Sequence, residues 1–142
     1  MPNRMLLVIE NSDEDMAILE RILKSIGFRG PILQMANAEK ALVALQSHEV
    51  SPAVILLDLN LAGLDGRGFL LRIKQDHALK GLPVVILSSS ANPIDVDFCY
   101  RNGAASYVLK VMDLSQQTEI LKSFIDHWFH AAVLPSNAGR AR

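Results

Sequence analysis

Five short apolar runs alternate along the chain with stretches of helical spacing, and this alternation constrains the fold more than any other feature. The runs are Met5–Ile9, Ile32–Ala36, Ala53–Leu57, Pro83–Ser88 and Ser106–Leu109. All but the second are continuously apolar, as in parallel strands buried on both faces. Ile32-Leu33-Gln34-Met35 is the most polar, and the reading places it at a sheet edge.

Helix signals fill each gap. Ser12-Asp13-Glu14-Asp15 has the form of a capping box, with carboxylates facing the positive helix end. Met16, Leu19, Ile22, Leu23 and Ile26 follow at helical spacing, and Gly27 stops that helix. Asn37 caps a second helix through Ala41, Leu42 and Leu45. A third, marked by Phe69, Leu70 and Ile73, follows a turn over Gly63–Gly68. Asn92-Pro93 opens a fourth, which Gly103 ends, and a fifth is expected from about Leu114 to Ala132. Five βα units are the economical reading.

Length and charge narrow the function. A chain of 142 residues fits one domain, read as residues 1–134, with 135–142 as a mobile polar tail and no effector domain. The 14 basic and 15 acidic residues are not clustered, which argues against a nucleic-acid partner. No run could serve as a signal peptide or span a bilayer, so no membrane partner and a cytoplasmic location are expected. Cys99 has no partner for an internal disulfide. His127 and His130 lack a third metal ligand, and Gly63–Gly68 lacks the spacing of a phosphate-cradling loop.

In an open parallel sheet, residues just past the carboxyl ends of the strands converge on one crevice. Glu10 and Asn11 follow the first run, Asp58 the third and Lys110 the fifth, while Ser88 ends the fourth. Asp13, Glu14 and Asp15 are read as helix-end charge compensation, Glu10 as part of the crevice.

With those residues in place the sequence resembles the receiver domain of bacterial two-component response regulators. The resemblance covers roughly Asn3 to Phe129. It rests on Glu10-Asn11, "LLDLNLAGLDG" at 56–66, "PVVILSSS" at 83–90 and "GAASYVLK" at 103–110, in that order. "DLNLAGLDGRG" and "FIDHWFHAAVLP" are closest to small stand-alone responders that partner phytochrome-type kinases.

The resemblance implies a doubly wound, flavodoxin-like sheet of order 2-1-3-4-5 and a histidine kinase partner, a bacteriophytochrome in this variety. It makes Asp58 the phosphoacceptor and Lys110 its counter-ion. Glu10, Asn11, Asp58 and the Asn60 backbone carbonyl would hold Mg²⁺. Ser88 and Tyr107 would form the switch, the serine hydroxyl moving to the phosphoryl and the tyrosine rotamer reporting it. Such a protein is a phosphoacceptor rather than an enzyme. Asn60 stands where aspartyl phosphatases carry a second aspartate.

Two positions depart from the pattern. Asn11 replaces a second metal-binding acid and should lower cation affinity. Val111 replaces a proline after the lysine, and its peptide bond is expected trans. Both favour the rival reading, a pseudo-receiver that binds partners without phosphorylation. Finally, Ile120, Leu121, Phe124, Ile125, Trp128, Phe129 and Ala132 form two apolar columns on the fifth helix. Either both pack on the sheet, or the outer one, with Phe124, Trp128 and Phe129, forms a homodimer interface.

Overall fold

The computed structural model describes residues 4–61 and 65–136. The expected turn over Gly63–Gly68 and the tail after Pro135 therefore lie partly outside the described residues. The strands are β1 (Leu6–Ile9), β2 (Ile32–Met35), β3 (Val54–Asp58), β4 (Val84–Ser88) and β5 (Ser106–Leu109). They pair in parallel in the order β2-β1-β3-β4-β5, the arrangement the resemblance implied. Helices α1 (Asp13–Ser25), α2 (Ala38–Gln46), α3 (Gly66–Gln75), α4 (Pro93–Arg101) and α5 (Leu114–Ile125) fill the connections.

The period-2 alternation of the strands sorts their side chains into two layers. Leu7, Ile9, Ile55, Leu57, Val84 and Ile86 face one layer with residues of α2 and α3, including Leu42, Phe69 and Ile73. Leu6, Val8, Val54, Leu56, Val85 and Leu87 face the other with residues of α1 and α5, including Met16, Leu19, Leu121 and Phe124. Each fully buried side chain of this kind contributes roughly 1.5–3 kcal/mol. Strands β1, β3 and β4 are buried throughout, but β5 is only half-buried. Its apolar sequence misled on this point, because β5 is the other sheet edge.

Helix ends follow the sequence signals closely. Ser12, Asn37 and Asn92 accept hydrogen bonds from Asp15, Lys40 and Ile94 amides respectively. Gly27, just past α1, takes a positive φ of 85°, which a glycine tolerates without a Cβ penalty. The third helix starts inside the expected turn, capped by Asp65. Gly66 is required there, since a Cβ would stand 2.5 Å from the Asp58 carbonyl oxygen.

The fifth helix departs from expectation. It is α-helical only to Ile125, and Asp126–Ala131 continue as a π-helix, with the Ala132 amide bonding the His127 carbonyl. Phe129 is buried there, edge to face with Phe28 at a ring separation of 5.0 Å. The Phe129 carbonyl accepts from the Arg4 guanidinium. Phe124 and Phe129 are thus buried core residues, which corrects their assignment to a dimer interface, while Trp128 packs against the same core only half-buried. Leu121, Phe124, Ile125 and Phe129 pack inward because α5 and its extension meet both the sheet and Phe28, a partner that helical spacing does not reveal, while Ile120 and Trp128 stay partly exposed.

Candidate functional site

The hydrogen-bond ladder continues past the strand ends and fixes the backbone of the site. The Glu10 amide donates to the Met35 carbonyl, and the Lys110 amide to the Ser88 carbonyl. The Glu10 carbonyl accepts from the Gln34 side chain. Asp58 and Ser88 are the final residues of β3 and β4, so all these side chains leave from the carboxyl-terminal end of the sheet.

They converge as the sequence predicts. Glu10 and Asp58 are both buried, at 3% and 6% exposure. Lys110 Nζ lies 2.7 Å from Glu10 Oε1 and 3.4 Å from Asp58 Oδ2. Asp58 Oδ1 accepts from the Asn60 amide, and Glu10 Oε2 from the Ser12 amide. Asn11 is exposed at the rim, and the Lys110–Val111 peptide is trans.

Two charge effects compete at Glu10. Burial, helped by the neighbouring Asp58 carboxylate, raises its pKa above the ordinary value, and Lys110 offsets this only in part. Burial alone would lower Lys110. Its hydrogen bonds to Glu10 and Asp15, with the Asp58 charge, outweigh that and keep the ammonium charged.

Asp15 corrects the sequence reading. Its Oδ2 is 3.0 Å from Lys110 Nζ, so it belongs to the crevice as well as to the first turn of α1. The reciprocal half of the expected capping box is missing, because Glu10 rather than Asp15 accepts from the Ser12 amide. Nothing local separates Asp15 from Asp13 and Glu14; only the fold brings it to Lys110.

The residues expected to form the switch are linked through Ser90. Ser88 is fully buried, and its hydroxyl accepts from the Ser90 amide. The Tyr107 hydroxyl donates to the Ser90 carbonyl at 2.8 Å. The Ser90 hydroxyl donates to Asp95 on α4, which also pairs with Arg67 on α3. Sequence reasoning named Ser88 and Tyr107 but missed Ser90, Asp95 and Arg67, whose roles depend on tertiary contacts.

The oxygen donors fit a hard divalent cation. Among the described residues, no group of three His, Cys, Asp or Glu side chains is placed to grip a metal. Mg²⁺ needs fewer, commonly one or two carboxylates with waters and phosphate oxygens making up the rest. The neighbouring Glu10 and Asp58 carboxylates suit that need; Asn11 follows Glu10 in the chain and the Asn60 amide bonds Asp58, the two residues expected to add neutral oxygens.

Comparison with known proteins agrees with this arrangement. The model of the response regulator receiver domain family matches residues 6–122. The chain is a response-regulator receiver domain. It is 31% identical over 140 residues to the response regulator Rcp1 of Synechocystis sp., covering 95% of each chain. The structure of the phosphorylated cyanobacterial phytochrome response regulator RcpA superposes with a TM-score of 0.85 at 30% identity, covering 94% of this chain and 99% of that one. The Mn²⁺-bound form of response regulator Rcp1 gives the same TM-score, 0.85, with the same identity, 30%, and coverage, 94% and 99%. Among the receiver's described residues, no helix is long and apolar enough to cross a membrane.

Proposed function

We propose that this receiver takes a phosphoryl group from a histidine kinase onto Asp58, in a signalling pathway that begins with a phytochrome. The observation that carries the reading is the buried Asp58 carboxylate at the end of β3, beside Glu10 and within 3.4 Å of the Lys110 ammonium. A carboxylate attacking an anionic phosphoryl group needs positive charge close by, and positioning and electrostatics supply most of the catalysis. The resemblance to Rcp1 and RcpA supports the phytochrome link.

Each residue has a definite task. Asp58 Oδ attacks the phosphorus of the phosphohistidine, and the imidazole leaves. Glu10 and Asp58, with Asn11 and the Asn60 carbonyl, would hold Mg²⁺, which when bound neutralises charge on the phosphoryl oxygens. Lys110 exchanges its contact with Glu10 for the new phosphoryl oxygens. Ser88 turns its hydroxyl to the phosphoryl group, releasing the Ser90 amide, and Tyr107 follows through the Ser90 carbonyl. The effect is a population shift between two arrangements, biased by the phosphoryl contacts. Output then passes through protein contacts.

The kinase has a surface to meet. A groove of about 630 Å³ lies between α1 and α5, reaches Asp15 and Lys110, and is lined by Ile18, Ile22, Met112 and Leu114. Met112 is fully exposed beside it. Transfer from an autophosphorylated phytochrome-type kinase, with and without Mg²⁺, tests the reading. Label should move to the receiver only with the metal present; a kinase that keeps its label under saturating Mg²⁺ speaks against this partner.

A further inference from the structure

Among the described residues, the buried polar side chains are Glu10, Asp58, Ser88 and Gln117. The first three belong to the crevice already described. Gln117, on the first turn of α5, has no part in the chemistry, yet it is 8% exposed and both ends of its amide are bonded. Its Oε1 accepts from the Val111 amide at 2.8 Å, and its Nε2 donates to the Leu109 carbonyl at 3.1 Å. Those backbone groups flank Lys110 on either side.

We infer that Gln117 is the positioning residue for Lys110, a clamp from α5 that fixes the backbone from which the lysine reaches Glu10 and Asp58. The inference rests on the phosphoacceptor reading for its functional meaning. Lys110 has left the strand, and its own amide bond to Ser88 is the last rung of the β4–β5 ladder. Beyond it the chain would be free to turn, and a long flexible lysine on a loose backbone would not hold one geometry. Gln117 closes that gap by continuing the ladder with a side chain. Its amide supplies one donor and one acceptor at a spacing that matches the Leu109 carbonyl and the Val111 amide. The Val111 amide is a backbone donor that must find a partner when water is excluded, and Gln117 is that partner. The clamp is rigid because its own helix is anchored: Asp113 caps the Ser115 and Gln116 amides, and Leu121 and Ile125, one and two turns on from Gln117, are buried.

The test compares Gln117→Met, which keeps the length and loses both bonds, with Gln117→Glu, which keeps an acceptor for Val111. The first readout is the Lys110 ammonium resonance of the unphosphorylated receiver labelled with ¹⁵N-lysine, assigned by its loss in Lys110→Ala. The parent should show a slowly exchanging signal, Gln117→Met should lose it, and Gln117→Glu, which keeps the Val111 bond but sets an acceptor against the Leu109 carbonyl, should weaken it less than Gln117→Met. The second readout is Asp58 labelling by acetyl phosphate with Mg²⁺, which should slow about ten- to a hundredfold in Gln117→Met, the usual effect of a displaced catalytic group. Should Gln117→Met fail to fold, Gln117→Asn, too short to span both partners, takes its place with the same expectations. A parental Lys110 signal in the Met or Asn variant overturns the inference. If the parent itself is never labelled, the phosphoacceptor reading fails, and the resonance alone still decides the place of Gln117.

Discussion

Lys110 Nζ stands 2.7 Å from Glu10 Oε1 and 3.4 Å from Asp58 Oδ2, so at rest the lysine is held by the proposed cation ligand more than by the proposed phosphoacceptor. A divalent cation held by Glu10 and Asp58 would compete with the ammonium for both carboxylates, so cation binding and the place of the lysine would be linked.

If Asn11 faces the cation as proposed, cation affinity should depend on the charge at position 11. Asn11→Asp places a carboxylate there, whose attraction for a divalent cation about 4 Å away is worth roughly 2–8 kcal/mol between bulk water and a protein surface. Calorimetry should show Mg²⁺ binding at least several-fold more tightly to Asn11→Asp than to the parent. Equal affinities would mean that position 11 does not face the cation.

The raised pKa of Glu10 predicts a pH dependence. A carboxyl whose native pKa lies above its ordinary 4.5 binds its proton more tightly in the folded state than in the unfolded one. Its contribution to stability is therefore greatest below pH 4.5 and is lost as pH rises through the native value. In divalent-free buffer, the stability of the parent relative to Glu10→Gln should fall between pH 4.5 and neutrality, measured by urea unfolding. A difference that grows over that range would reverse the sign and contradict the dominance of burial over the Lys110 pairing.

Phe129 belongs to the core, so its loss should cost stability. Truncating a buried phenylalanine to alanine typically costs about 3–5 kcal/mol. Phe129→Ala should approach that range in chemical denaturation, because it leaves a void opposite Phe28 and the α1–α5 layer. A cost below about 1 kcal/mol would show that the position is not core, since only surface changes are normally that small.

The fold was legible because its signals are local. Ser12, Asn37, Asn92 and Gly27 mark helix ends through bonds to neighbours a few residues away. The apolar runs mark the strands to within a residue. Glu10, Asp58, Ser88 and Lys110 were legible for a related reason: strand ends in a parallel sheet share one crevice, so order along the chain implies proximity. The failures involve partners chosen only by tertiary packing. Asp15 looks like Asp13 and Glu14 until α1 is set against β5. Phe129 looks like an exposed aromatic until the π-helix turns it to Phe28. Gln117 did leave a trace, being polar in line with Leu121 and Ile125, four and eight residues on, in an otherwise buried column.

The most direct test is where the phosphoryl group goes. The parent and Asp58→Asn should be treated with acetyl phosphate and saturating Mg²⁺, then weighed intact by mass spectrometry. The parent should gain one phosphoryl group that hydroxylamine removes, as an acyl phosphate requires, and Asp58→Asn should gain none. Equal labelling of Asp58→Asn would contradict the assignment of Asp58, and a parent that stays unlabelled would contradict the phosphoacceptor itself.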